Sequence, residues 1–106
     1  MSEWLRDETS RHLEVAFWEF HNGNPEIWTL FQKYTFQVIE AGLPSFGALH
    51  ILSRIRWFVW IETKRFGDLY KINNNHAAFY ARLFHREHPE HEGFFRTRER
   101  EDTDEA

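Results

Sequence analysis

Residues Ser45 to Lys64, SFGALHILSRIRWFVWIETK, have the pattern of a central helix. Apolar side chains recur there at three- and four-residue intervals, which is the spacing of one helical face. Ser45 is a suitable N-cap, and after Gly47 no Gly or Pro occurs before Gly67, so we predict a helix of about 20 residues. The run from Trp57 to Ile61 is also compatible with a buried strand. The predicted buried face consists of Ala48, Ile51, Leu52, Ile55, Phe58 and Val59.

Two further helices are predicted upstream of this stretch. The first covers Ser10–His21, and the second begins where Asn24 can act as N-cap and Pro25 can occupy the first helical position. Gly42 and Pro44 are expected to end the second helix. The expected core positions are Leu13, Ala16, Phe17 and Phe20 in the first helix and Ile27, Phe31, Tyr34, Val38 and Ala41 in the second.

A fourth helix is predicted to follow Asn73-Asn74-Asn75, because asparagine side chains cap helix N-termini. Ala77, Tyr80, Ala81 and Phe84 form its expected core stripe, while Asn75, Phe79, Arg82 and Arg86 fall on a different face. Pro89 is expected to end the helix, and Gly93-Phe94-Phe95 is expected to anchor the following segment on the core.

These elements predict a mainly α, compact four-helix single domain over residues 1–100, followed by an acidic, disordered tail over residues 101–106. A helix-turn-helix or winged-helix-like arrangement is an alternative form of this fold. It would require a short extended pair near Leu69–Ile72 and Phe94–Thr97. The connection of about nine residues between the third and fourth helices is longer than the usual helix-turn-helix turn.

The composition excludes several kinds of chemistry. None of the 106 residues is cysteine, so disulfides and thiol catalysis are impossible, and the eleven Phe, five Trp and three Tyr supply apolar surface for a small core. The acidic N-terminus lacks the apolar run of a signal peptide, and we expect a soluble, cytoplasmic protein without a membrane span. No phosphate-binding loop, HExxH motif or nucleophile elbow is present, so we predict a non-enzyme without a cofactor.

Charge is segregated along the chain. The segment from His50 to Arg86 has seven Lys and Arg residues against two acidic residues, although the whole protein has a net charge of −4. A basic middle between acidic ends favours contact with phosphates or with an acidic partner.

Eight residues of the basic segment are the candidates for nucleic-acid or partner binding. Arginine, lysine and asparagine are the side chains that contact phosphates and base edges, and tryptophan can stack on bases or anchor a protein partner. Each group of candidates also has an alternative interpretation. The cations could form a solvated face paired with glutamates, and Trp57 and Trp60 could belong to the core. The candidates are Arg54, Arg56, Trp57, Lys64, Lys71, Asn75, Arg82 and Arg86.

Histidines recur at His85, His88 and His91, and two histidines one helical turn apart can bind a divalent ion. Pro89 separates His88 from His91, however, and the spacing matches no standard zinc motif, so we predict no metal site.

The segments Arg54-Ile-Arg-Trp, KINNNHAAFYARLF from Lys71 and HPEHEGFFRTR from His88 resemble a family of small phage and prophage proteins of unassigned function. The likeness covers about residues 25–100. It implies a compact helical accessory protein of mobile-element origin acting in the host cell, and it implies no particular site residues.

Two functions follow as hypotheses. The first is nucleic-acid binding through a basic face of the third and fourth helices. The second is an anti-defence or regulatory role, in which the protein binds and inhibits a host protein, by imitating DNA with its acidic flanks. A homodimer is a further hypothesis, because an exposed Trp-rich patch needs cover.

Overall fold

All four predicted helices are present in the computed structural model, which describes residues 8–65 and 72–96. They form a mainly helical single domain, as predicted. No helix in these two ranges is long and apolar enough to cross a membrane. The elements are α1 (Glu8–Gly23), α2 (Pro25–Glu40), α3 (Ala48–Trp57), a π-helical turn (Phe58–Glu62), α4 (His76–Glu87) and a 3-10 turn (Pro89–His91).

A single residue, Asn24, connects α1 to α2. Pro25 begins α2 as predicted, and Asn24 is its N-cap by position, but the expected side-chain cap is wrong. The Asn24 Nδ2 group instead donates a hydrogen bond to the Phe20 carbonyl oxygen at 3.0 Å. It thereby pairs a carbonyl in the last turn of α1, which has no intrahelical partner of its own. This bond fixes the short corner at which α1 and α2 meet.

The fourth helix lies at the centre of the fold. Its Tyr80 ring is fully buried and contacts Phe17 of α1 at 4.8 Å and Phe31 of α2 at 5.1 Å between ring centroids. Phe79 is also buried and stacks on Phe17 at 5.3 Å, so the prediction that it lies on a different face from the core stripe is wrong. Seven of the twelve residues of α4 are buried: His76, Ala77, Phe79, Tyr80, Ala81, Leu83 and Phe84.

The segment after α4 folds back onto the core, as predicted. Phe95 is fully buried, and its backbone N–H donates to His85 Nε2 at 3.0 Å. Phe95 also forms an isolated parallel bridge with Phe46, and no strand occurs within residues 8–65 and 72–96. The expected extended pair is therefore not seen there, although residues 69–71 and Thr97 lie outside the described ranges.

The third helix differs from its prediction at both ends. Gly47 is the N-cap, so the prediction of Ser45 was wrong, and the α-helical hydrogen bonding stops at Trp57. The next five residues form the π turn, so the alternative of a strand at this place was also wrong. The periodicity nevertheless identified the buried side correctly, because Ile51, Leu52, Ile55 and Val59 all lie in the core.

Candidate binding surface

The side of α3 and the π turn that faces away from the core exposes four large apolar side chains. Trp57 is 57% exposed, Ile61 51%, Leu49 47% and Trp60 39%. We call these four residues the outer face. Large apolar side chains exposed singly are ordinary on protein surfaces, but a group of them along one element marks an interaction site. The interpretation of Trp57 and Trp60 as core residues is therefore excluded.

The π turn determines which residues share this surface. In an uninterrupted α-helix, Glu62 would return to the side of Ile51 and Ile55, which is buried. The wider π turn delays that return, and the Glu62 side chain is 45% exposed. Hydrogen bonding confirms the wider turn, since the Thr63 N–H donates to the Phe58 carbonyl at 3.0 Å, five residues back. Single π turns inside helices occur frequently at functional sites.

Lys64 ends the third helix in a left-handed conformation. Its φ of 61° is unusual for a residue other than glycine, and it allows the Arg65 N–H to donate to the Val59 carbonyl at 2.9 Å. The Thr63 hydroxyl donates to the same carbonyl at 2.7 Å. Lys64 itself is exposed just after the π turn.

Arg54 flanks the outer face on the side of α2. Its guanidinium lies over the Tyr34 ring at 4.5 Å, and Nη1 is 3.7 Å from Glu62 Oε2. The two charged side chains are 44% and 45% exposed. The cation–π contact holds Arg54 in place, while the exposed ion pair contributes little to stability. The alternative in which the cations form a solvated face paired with glutamates therefore applies to Arg54 in part, through its contact with Glu62.

Arg56 has a structural role. One of its terminal nitrogens, Nη2, donates to the Ile72 carbonyl and to Asn74 Oδ1, both at 2.9 Å. Burial lowers the pKa of this guanidinium. Arg56 thus joins the third helix to the entry of α4 through Nη2.

The remaining predicted residues lie elsewhere. Asn75 is exposed and is the N-cap of α4 by position, but its side chain makes no capping hydrogen bond, so the expected asparagine side-chain cap is wrong here too. The Asn75 backbone N–H donates to Asn73 Oδ1 at 2.7 Å, in the turn before the helix. Arg82 is half-buried, with its guanidinium 5.9 Å from the Phe79 ring centroid. Arg86 is exposed and lies 5.8 Å from the Trp18 ring of α1, whereas Arg54 lies against α2. Lys71 lies outside the described residues.

Several polar side chains inside the fold have a buried atom without a hydrogen-bond partner among the described residues. Among the described residues, Tyr80 Oη, His76 Nδ1 and His21 Nδ1 are buried without a hydrogen bond. Burial raises the pKa of Tyr80 and lowers those of His21 and His76, and nearby Arg56 lowers the pKa of His76 further. All three groups therefore favour their neutral forms.

The three C-terminal histidines each make a different contact. His88 Nε2 is 2.8 Å from Gln32 Oε1, His85 accepts the hydrogen bond from Phe95, and His91 is 3.8 Å from Glu90. Within residues 8–65 and 72–96 no three His, Asp or Glu side chains form a group that could hold a metal ion. His88 ties the end of α4 to α2, and His85 ties the segment at Phe95 to α4.

Comparisons with protein-family models, curated proteins and solved structures gave no match. The surface is therefore assigned on geometry alone, as that of a small helical protein with an exposed aromatic and aliphatic helix face. The proposed phage origin stays a prediction.

Sequence reasoning missed Leu49, Ile61 and Glu62 as members of this surface. Leu49 and Trp57 are separated by two helical turns, with exposed Ser53 between them, so a stripe opposite the core was visible in the pattern. The position of Glu62 depends on the π turn, for which the sequence carries no simple signal.

Proposed function

We propose that this protein is a non-enzymatic binding protein that contacts another protein through the outer face. The observation that supports the proposal is the exposure of Trp57 and Ile61, each above one half, on a helix whose other side is fully packed. Tryptophan is the residue type most enriched at the energetic centres of protein interfaces. The flanking Arg54 and Lys64 favour an interface with acidic groups at its rim.

The burial of α4 supports the third helix rather than the fourth as the binding element. A recognition helix must project a broad face into the DNA groove. The fourth helix is buried at seven of its twelve positions, and only Arg86 and Glu87 at its C-terminal end are exposed. The outer face has no such restriction.

Site-specific photo-crosslinking in cells tests the proposal. A photoreactive phenylalanine analogue is introduced in place of Trp57, and the same analogue replaces Val15 as the matched control. Val15 is 51% exposed but lies on α1. We expect protein adducts from position 57 that are absent from position 15. An absence of adducts at position 57, or identical adducts from both positions, would overturn the proposal.

Single-stranded nucleic acid is a second candidate ligand. It is favoured by the proximity of two exposed tryptophan rings to the exposed cations Arg54 and Lys64, because bases stack on aromatic rings while cations follow the backbone. Binding to a fluorescent oligonucleotide should weaken steeply with salt and disappear in Trp57→Ala and Arg54→Glu. Binding that is instead lost in Arg82→Glu/Arg86→Glu would assign the nucleic-acid site to α4, and no binding at low salt would reject this candidate.

A further inference from the structure

We propose that the outer face binds a second copy of this chain, in an antiparallel, two-fold symmetric helix pair. This inference rests on the proposed function, since it names the protein that covers the same surface. It is carried by the arrangement of charge on the outer face, which is complementary to itself.

Arg54 and Glu62 lie on one flank of the outer face, as their contact at 3.7 Å requires. A two-fold axis in the interface, perpendicular to the helices, keeps each flank on its own side and reverses the direction of the chain. If the axis passes beside residue 58, midway between the two charges, Arg54 lies opposite the partner's Glu62. By symmetry, Glu62 lies opposite the partner's Arg54, which is the reciprocal pairing of an isologous interface.

The apolar side chains fit the same axis. Trp57 is one position from the midpoint, so the two Trp57 rings would lie at the centre of the interface, where buried aromatic anchors contribute most. Ile61 and Trp60 extend the apolar surface toward the end of the π turn, whereas Leu49 lies farther from the axis than the paired segment from Arg54 to Glu62. The charged pair then occupies the rim, which is the usual order of an interface.

The charges select the orientation of this pair more than its strength. The Arg54–Glu62 ion pair of each chain is exposed, so exchanging the two pairs within the chains for two pairs between them changes the free energy little. In a parallel two-fold pair, however, the axis runs along the helices and exchanges the two flanks. The flank with Arg54 and Glu62 would then lie against the opposite flank of the partner, so neither charge would meet its complement. The reciprocal charge pairing is therefore specific to the antiparallel form.

Reversing the charges of Arg54 and Glu62 provides the decisive test. Self-association of the purified 106-residue chain and of each variant is measured by sedimentation equilibrium. We expect a concentration-dependent dimer whose dissociation constant rises at least about tenfold in Arg54→Glu and in Glu62→Arg. An equimolar mixture of the two variants should form a heterodimer, and the double variant Arg54→Glu/Glu62→Arg should dimerise like the original protein. Circular dichroism establishes that each variant is folded, and Val15→Ser serves as the unaffected control.

Three results would overturn the inference. They are a monomer at every concentration, a dimer that persists in Trp57→Gln, and single charge variants that the mixture fails to rescue. The proposed function has a separate outcome, because a monomeric protein that still gives adducts with other proteins from position 57 would retain that function while losing the dimer. Adducts of about twice the 13.0 kDa chain mass would support both.

Discussion

Replacing Tyr80 by phenylalanine should make this protein more stable, although most substitutions in a core destabilise. Tyr80 is fully buried, and its hydroxyl has no hydrogen-bond partner among the described residues. Leaving a hydroxyl buried and unpaired costs about 1–3 kcal/mol. The oxygen makes a few dispersion contacts of about 0.1–0.2 kcal/mol each, which offset part of that gain when it is removed. The expected net effect is a stabilisation of about 1 kcal/mol.

Urea denaturation and thermal unfolding of Tyr80→Phe measure this effect. For a domain of this size, about 1 kcal/mol corresponds to a rise of about 4–8 °C in the midpoint temperature. Tyr34→Phe is the matched control, because Tyr34 is also buried but its hydroxyl is not among the unpartnered buried atoms. The control should gain no stability. A loss of stability in Tyr80→Phe would refute the reasoning, since it would show that the hydroxyl makes a favourable hydrogen bond in the folded protein.

Three further predictions concern single positions. Burial and Arg56 lower the pKa of His76 in the folded protein below its ordinary 6.5. The stability contributed by neutral His76 is therefore complete above pH 6.5 and is lost as the pH falls toward the folded pKa. Urea denaturation at pH 7.5 and at about pH 5.5 should show this loss, and the loss should be smaller in His76→Gln. Lys64→Gly should raise the free energy of unfolding by about 0.5–1 kcal/mol, because glycine adopts a positive φ without strain, whereas Arg65→Gly should give no such gain. Arg56→Ala should destabilise by about 2 kcal/mol, because it removes the donor of two hydrogen bonds at the entry of α4, and a stability unchanged from the original protein would contradict its structural role.

Periodicity in the sequence was sufficient to locate the four helices and most of the core. The buried residues of α2 and α3 recur at helical spacing, and Pro25 marks the start of α2 in the sequence and in the structure. These features are local, because they depend on the geometry of a single helix. The predictions failed where one side chain can make either of two local hydrogen bonds. Asn24 is such a case, because its amide donates to a carbonyl of α1, the helix before it, and does not cap α2, the helix after it.

The role of each basic residue could not be read from the sequence for a different reason. Arg54 and Arg56 are two positions apart, yet one is exposed over Tyr34 and the other donates to the loop before α4. What an arginine does depends on the element that packs beside it, and that element is distant in sequence. Composition therefore predicted a basic surface but did not show which cations remain directed toward solvent.

Stability and association are expected to be separable properties of the third helix. Ile51, Leu52 and Ile55 hold it to the core, while Leu49, Trp57 and Ile61 are about half exposed and contribute little to folding. The π turn links the two sides, because it keeps Val59 buried while it brings Glu62 out beside Arg54. Exposed apolar area that does not stabilise the fold favours aggregation unless a binding partner covers it. Substitutions such as Trp57→Gln should therefore alter self-association while leaving the free energy of unfolding of the monomer nearly unchanged, whereas Ile55→Ala should cost about 2–5 kcal/mol.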